Sequence, residues 1–219
     1  MRRVHLDAPQ LGMTRFGTPR DMYDWMERAT RDLPADACVR NFCALVERMD
    51  RDAIVVETAL FPADALAFYT YHNLDGAVAL PPELEMEALR ARFYDPARGG
   101  AQGDYRAGMR AKLRDVIACL AAHPGSKRAI LSIPFSSGRG SHEVSHEETD
   151  EAKCLRELHF FIDADDGRVH ASGFMRAQAA AIFPKNIHLI GTILGAVAEA
   201  IGREPGTYTH FVTTLVAGR

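Results

Sequence analysis

Tryptophan is nearly absent and cysteine is sparse: one Trp and four Cys in 219 residues. Cys38, Cys43, Cys119 and Cys154 show no CxxC spacing, which argues against zinc-ribbon frameworks and a disulfide scaffold. The thiols are expected to be reduced, with the cytoplasm as the location. No unbroken apolar run approaches the roughly 20 residues of a membrane helix, so no membrane partner is expected. Met1-Arg2-Arg3-Val4-His5-Leu6-Asp7 carries two arginines without an apolar segment behind them, a pattern not expected of a signal peptide. A net charge of -3 leaves no general cationic surplus for a phosphate backbone, so no nucleic-acid partner is expected. Internal repeats and low-complexity linkers are also lacking.

What is present describes a folded domain. Hydrophobic residues make up 47% and charged residues 25%, the balance of an ordinary globular protein. The expectation is one α+β domain over 1–219, with an irregular arm over 1–17 and a mobile loop over 136–153. Thr18-Pro19-Arg20-Asp21 starts a helix over 18–32, a capping residue followed by proline at the first helical position. A second helix is expected over 36–49 from the spacing of Phe42, Leu45, Val46 and Met49, which makes Cys38 and Cys43 small helical core residues. The short β-branched run 53–60 reads as a strand containing Glu57. Residues 63–73 fit either helix or strand. Further helices are expected from Pro81-Pro82 to Phe93 and over 105–123, the latter holding Cys119, and a strand over 129–135. Two strands follow, 155–162 and 168–176, joined by an acidic turn ending at Gly167. The run 186–201 is apolar on nearly every side, as in a helix buried all round. A last strand covers 207–216.

Alternation along the paired strands sorts their side chains. Val169, Ala171, Gly173 and Met175 make an apolar face. His170, Ser172, Phe174 and Arg176 make a polar one, expected to line a cavity. Cys154 opens the first strand and Arg176 ends the second. A guanidinium near a thiol favours the thiolate, the nucleophilic form. The same spacing also fits a half-buried cysteine and an arginine paired with a surface carboxylate.

From Ser126 to about Gly206 the chain resembles thymidylate synthases and pyrimidine hydroxymethylases, most of all the short archaeal-type members. Ser126-Lys127-Arg128 resembles a phosphate-binding segment that reaches across a homodimer. Cys154 matches the nucleophile, and Phe174-Met175-Arg176 the strand end carrying a phosphate arginine. Phe183-Pro184-Lys185-Asn186-Ile187 matches the asparagine that reads the pyrimidine edge and the start of its helix. Glu204-Pro205-Gly206 matches the following turn. Tyr105 is the counterpart of an active-site tyrosine. Glu57 is the candidate proton-relay acid, although its setting before Phe61-Pro62 departs from the family's local pattern. The resemblance implies a thymidylate-synthase-like mixed sheet packed against helices with a buried central C-terminal helix. It implies a nucleotide-like small-molecule substrate and 5,10-methylenetetrahydrofolate as one-carbon donor. It also implies chemistry in which the thiolate attacks C6 so that C5 becomes nucleophilic, ending in a methyl or a hydroxymethyl group.

Several positions depart from that pattern. Ala177-Gln178-Ala179-Ala180 stands where the family has a serine and, two positions on, an aspartate. Lys153 replaces the proline before the cysteine. Val216-Ala217-Gly218 replaces the His-x-Tyr pair that holds the deoxyribose 3′-hydroxyl, and Trp25 has no clear counterpart among the tryptophans of the folate site. These changes point away from dUMP and leave open a binding-only descendant of the fold. His142-Glu143-Val144-Ser145-His146 spells the HExxH zinc pattern, but neighbouring glycines and acids lack the apolar helix face that chemistry needs. No metal site is expected. His170 is expected to be a hydrogen-bonded structural histidine.

Overall fold

A computed structural model describes residues 13–34, 37–99, 103–133 and 153–217. Within them lie seven strands and five helices. Strands β1 (Thr14–Phe16), β2 (Val39–Val46), β3 (Ile130–Ser132), β4 (Leu155–Ile162), β5 (Val169–Met175), β6 (Gln178–Ala179) and β7 (Pro205–Val216) form one mixed sheet. Its order is β1-β2-β7-β5-β4-β3, with β6 also on β7. The helices are α1 (Pro19–Thr30), α2 (Ala63–Leu74), α3 (Met86–Phe93), α4 (Met109–Ala122) and α5 (Phe183–Ala200).

α1 starts where its capping residues require. Thr18 accepts from the Asp21 backbone, Asp21 answers the Thr18 N–H, and Pro19 fills the first turn. Such reciprocal caps satisfy donors that the helix itself leaves open. Met22, Met26 and Thr30 then share one buried stripe. Residues 63–73, ambiguous in the sequence, belong to helix α2. It ends at Asp75, whose φ of 50° is left-handed.

Several expectations are corrected. Residues 37–49, the described part of the helix expected over 36–49, are not a helix but contain strand β2, which pairs with β7 from Val39↔Leu215 to Val46↔Tyr208 and with β1 on its other edge. Phe42, Leu45, Val46 and Met49 do fall at helical intervals. The burial that decides is nevertheless two-residue, with Phe42, Ala44 and Val46 on the inner face. Two neighbours satisfying both backbone edges outweigh helix propensity. Cys38 therefore precedes a strand and Cys43 lies in one; Cys119 is helical as expected. Residues 53–60 are irregular rather than a strand, with Ile54 and Val56 buried as plugs. Part of the arm is ordered, because β1 pairs with β2. α4 begins at Met109, leaving Tyr105 in the approach to it. The HExxH run and all but the last residue of the expected mobile loop lie outside the described residues.

α5 is the core of the protein. Phe183, Ile187, Ile190, Ile193, Leu194 and Val197 are buried completely or nearly so against the inner face of the sheet. Ala180–Ala200 is long and apolar enough to cross a membrane by length and composition, unlike the expectation from unbroken runs. Its most apolar window is 67% buried inside the protein, the burial of a core helix. Gly191 permits the closest approach: a Cβ there would collide with Ile54.

Candidate functional site

β5 and β6 are one interrupted strand. β5 follows β7 as far as Met175↔Val212, and β6 resumes at Gln178↔Leu215. Arg176 and Ala177 occupy the break, where Thr213 Oγ1 donates to the Arg176 carbonyl. Across from it the chain enters β4 at Cys154, and the Arg176 N–H donates to the Cys154 carbonyl at 3.0 Å. Cys154 and Arg176 thus leave the sheet side by side, at the same end of an antiparallel pair.

A cavity of about 100 Å³ opens at this strand break, walled by Gly99, Gly103, Tyr105, Cys154, Ala177, Gln178, Ala179, Ile182, Lys185 and Asn186. It is about two thirds of the roughly 150 Å³ engineered cavity that admits benzene. The described walls therefore suit part or all of one flat ring. The first turn of α5 contributes Lys185 and Asn186, which brings the positive end of an 18-residue helix to the cavity.

The polar groups around it are arranged as follows. Tyr105 is buried; its backbone N–H donates to Asn73 Oδ1 at 2.6 Å. Burial pushes its phenol pKa up, the negative charge of a Cys154 thiolate pushes the same way, and Arg176 opposes both. The phenol therefore feels both candidate residues. Asn186 is 4% exposed. Gln178 Nε2 donates to the Ala179 carbonyl at 2.6 Å, so Gln178 Oε1 must accept, and it accepts from Asn186 Nδ2 at 2.9 Å. That chain of bonds sets the amide orientation. It leaves Asn186 Oδ1 as a buried acceptor without a partner among the described residues, a costly state that a ligand N–H relieves.

Lys185, which the sequence offers only as part of the motif from Phe183 to Ile187, is a cavity residue. The residue is 2% exposed, and its ammonium donates to the Arg98 carbonyl at 2.7 Å and sits 4.8 Å from the centre of the Tyr69 ring. Burial draws its pKa down to about 8, against the opposing pull of a Cys154 thiolate. The signal in the sequence was the only Asp, Glu, Lys or Arg between Phe183 and Ala198.

The remaining candidates lie elsewhere. Arg176 is beside the cavity, not among its described walls; its Nε donates to the Lys153 carbonyl at 3.3 Å. Glu57 is exposed and its Oε2 accepts from the Ala63 N–H at 3.1 Å, capping α2. Ser126 accepts from the Cys119 thiol and the Arg128 N–H, holding a turn from which Lys127 and Arg128 project into solvent. Of the polar face expected to line a cavity, none of His170, Ser172, Phe174 and Arg176 is among the described walls of this one. Val169, Ala171 and Met175 join the core around α5, whereas Ser172 and Phe174 lie on the outer face of the sheet. His170 is bonded to Thr207 and Asp166 and stacked on Phe161. Among the described residues no group of three or more His, Cys, Asp or Glu could hold a metal ion.

No family model matches the sequence, and no curated protein matches it. Among solved structures the chain is similar to thymidylate synthase from phage T4, with a TM-score of 0.57 at 11% identity, over 89% of this chain and 73% of that one. Likeness at that identity is a likeness of fold. The chain has a thymidylate-synthase-like α+β fold, a mixed sheet packed against helices with a buried apolar C-terminal helix.

Proposed function

We propose that the protein is a one-carbon transferase that modifies C5 of a pyrimidine nucleotide, or of a related electron-rich ring, other than dUMP. The observation that carries this is Cys154 and Asn186 Oδ1, an acceptor without a partner among the described residues, in the walls of one ring-sized cavity. Cys154 adds to C6 of the ring, and the electron pair moves to C5 and the adjoining carbonyl. Asn186 Oδ1 accepts from a ring N–H, which orients the ring. Tyr105 packs beside the sulfur and excludes water. Arg176, with Lys127 and Arg128 of a second copy, would hold the ligand's phosphate.

5,10-Methylenetetrahydrofolate is the donor that the resemblance to thymidylate synthases implies; the product is a methyl or hydroxymethyl group. The described walls fit a ring but do not make a folate site. They have room for one ring, and Trp25, the one tryptophan, is stacked on Phe42 at 4.8 Å in the core. A homodimer is supported by the outer sheet face, where Phe174 stacks on Phe211 and Phe161 is 40% exposed. Free half-buried thiols suit the cytoplasm.

The decisive assay is release of tritium from C5-labelled pyrimidine nucleotides in the presence of the folate donor. Wild-type protein should release it from one of them, and Cys154→Ala should reduce release to background. Equal release by both would remove Cys154 from the chemistry. A second reading, a ligand-binding protein without turnover, is favoured by Ala177, which puts a methyl in the cavity wall where the family has a hydroxyl. It predicts ligand-induced thermal stabilisation without tritium release from any nucleotide.

A further inference from the structure

An ammonium buried in a protein interior is costly unless charge or hydrogen bonds compensate it. Lys185 has one carbonyl and one aromatic face, and no carboxylate among the described residues pairs with it. Among the described residues its ammonium makes one hydrogen bond, to the Arg98 carbonyl, out of three N–H donors. The fold goes to some length to enclose it. Gly99, at φ 97°, and Gly103 bring bare backbone against the ammonium, and a Cβ at either position would collide with Nζ.

The charged and titratable groups around Lys185 come from several elements: Cys154 at the start of β4, Tyr105 before α4, Tyr69 on α2, and Arg98. Arg176 and Lys153 lie just beyond, next to Cys154. All but the cysteine and the tyrosines are cations, and burial keeps both phenols protonated. Among the described walls of the cavity there is no carboxylate, and Asp104, next to Gly103, is paired with Arg106, so the Cys154 thiol is the acid left there to pair with the ammonium. From this arrangement we infer that Lys185 is the positioning residue for the nucleophile: it pairs with Cys154 across the cavity and holds the sulfur as a thiolate. The proton balance is simple. A neutral Lys185 amine takes the thiol proton, Cys–SH and Lys–NH2 becoming Cys–S⁻ and Lys–NH3⁺, with no other reactant. The thiolate then meets the ring held by Asn186, one residue further along the same helical turn. This inference rests on the reading of Cys154 as the reacting thiol.

The test is the pH profile of Cys154 alkylation by iodoacetamide, read by peptide mass spectrometry in wild type, Lys185→Met and Lys185→Arg. An opposite charge close to a thiol moves its titration by about one unit or more. Lys185→Met should therefore shift the alkylation midpoint up by about one pH unit and slow the reaction about tenfold at pH 7. Lys185→Arg should restore most of the rate. Linkage requires the reciprocal effect: in Cys154→Ala, the Lys185 amine, followed by NMR of 13C-labelled lysine, should titrate lower than in wild type. That measurement needs no change at Lys185 and stands if Lys185→Met fails to fold. Superimposable alkylation profiles, or an unmoved Lys185 titration, overturn the inference. Tritium release by wild type together with superimposable profiles would sink the pair and keep the transferase. A shifted profile without tritium release would do the reverse.

Discussion

Lowering the pH from 6.5 to 5 should destabilise the protein through two histidines, His210, which is buried, and His188, which is partly buried. His210 is fully buried, its Nδ1 faces the Tyr208 hydroxyl at 3.0 Å, and burial draws its pKa down to about 3. His188 lies on α5 with Nδ1 2.7 Å from Thr70 Oγ1, and burial draws its pKa down to about 4. In the unfolded chain both titrate near 6.5. Between the folded and unfolded pKa values the unfolded state binds more protons, so stability falls as pH falls. It is fully present above about pH 6.5 and is lost progressively below. From pH 6.5 to 5 each histidine costs roughly 1–2 kcal/mol, and the pair about 3 kcal/mol. His72, also lowered by burial, acts in the same direction. Carboxylates contribute little in this window; Asp104, held down to about 2 by Arg106, titrates far below it. The assay is urea unfolding at fixed protein concentration and ionic strength across pH 5–8, in wild type and His210→Gln. Wild type should lose stability toward pH 5, and the variant should lose less by one histidine's share. A flat profile, or equal slopes in both proteins, would refute the view that His210 is buried and neutral.

Two further outcomes follow from the packing and the site. Gly191→Ala forces a methyl into Ile54 beneath α5 and should cost about 1–3 kcal/mol, the usual penalty of overpacking; unchanged denaturation midpoints would mean that this contact is not tight. Asn186→Ala removes the cavity acceptor and the donor to Gln178. It should weaken binding of any ring ligand found by thermal shift about tenfold or more by titration calorimetry, and undiminished affinity would show that the ring is held elsewhere.

How much was legible varied by segment. α5 was readable because a helix apolar on every side has one physical destination. β4 and β5 were readable from alternation and the acidic turn between them. β2 was not: Phe42, Leu45, Val46 and Met49 satisfy the helical interval, while Phe42, Ala44 and Val46 satisfy the strand one. Only β1 and β7 on either side decide between them. Residues 53–60 look like a strand because apolar β-branched residues also serve as plugs, as Ile54 and Val56 do. At the site, the resemblance to thymidylate synthases points to Tyr105 and Asn186, and strand position together with that resemblance points to Cys154; all three line the cavity. Glu57 was chosen from the same resemblance and caps a helix instead. Lys185 was passed over because nothing local says whether a helical lysine points to water or inward.

The sequence by itself determined the α+β class, the buried terminal helix and which residues carry reactive groups, because hydrophobic periodicity and side-chain chemistry are local properties. Tertiary structure alone decided that β5 breaks at Arg176 and Ala177, that Asn186 Oδ1 has no donor among the described residues, and that Lys185 turns inward to the cavity that Cys154 also lines. Each of those depends on which distant segment occupies the space next to it, and no local pattern encodes that neighbour.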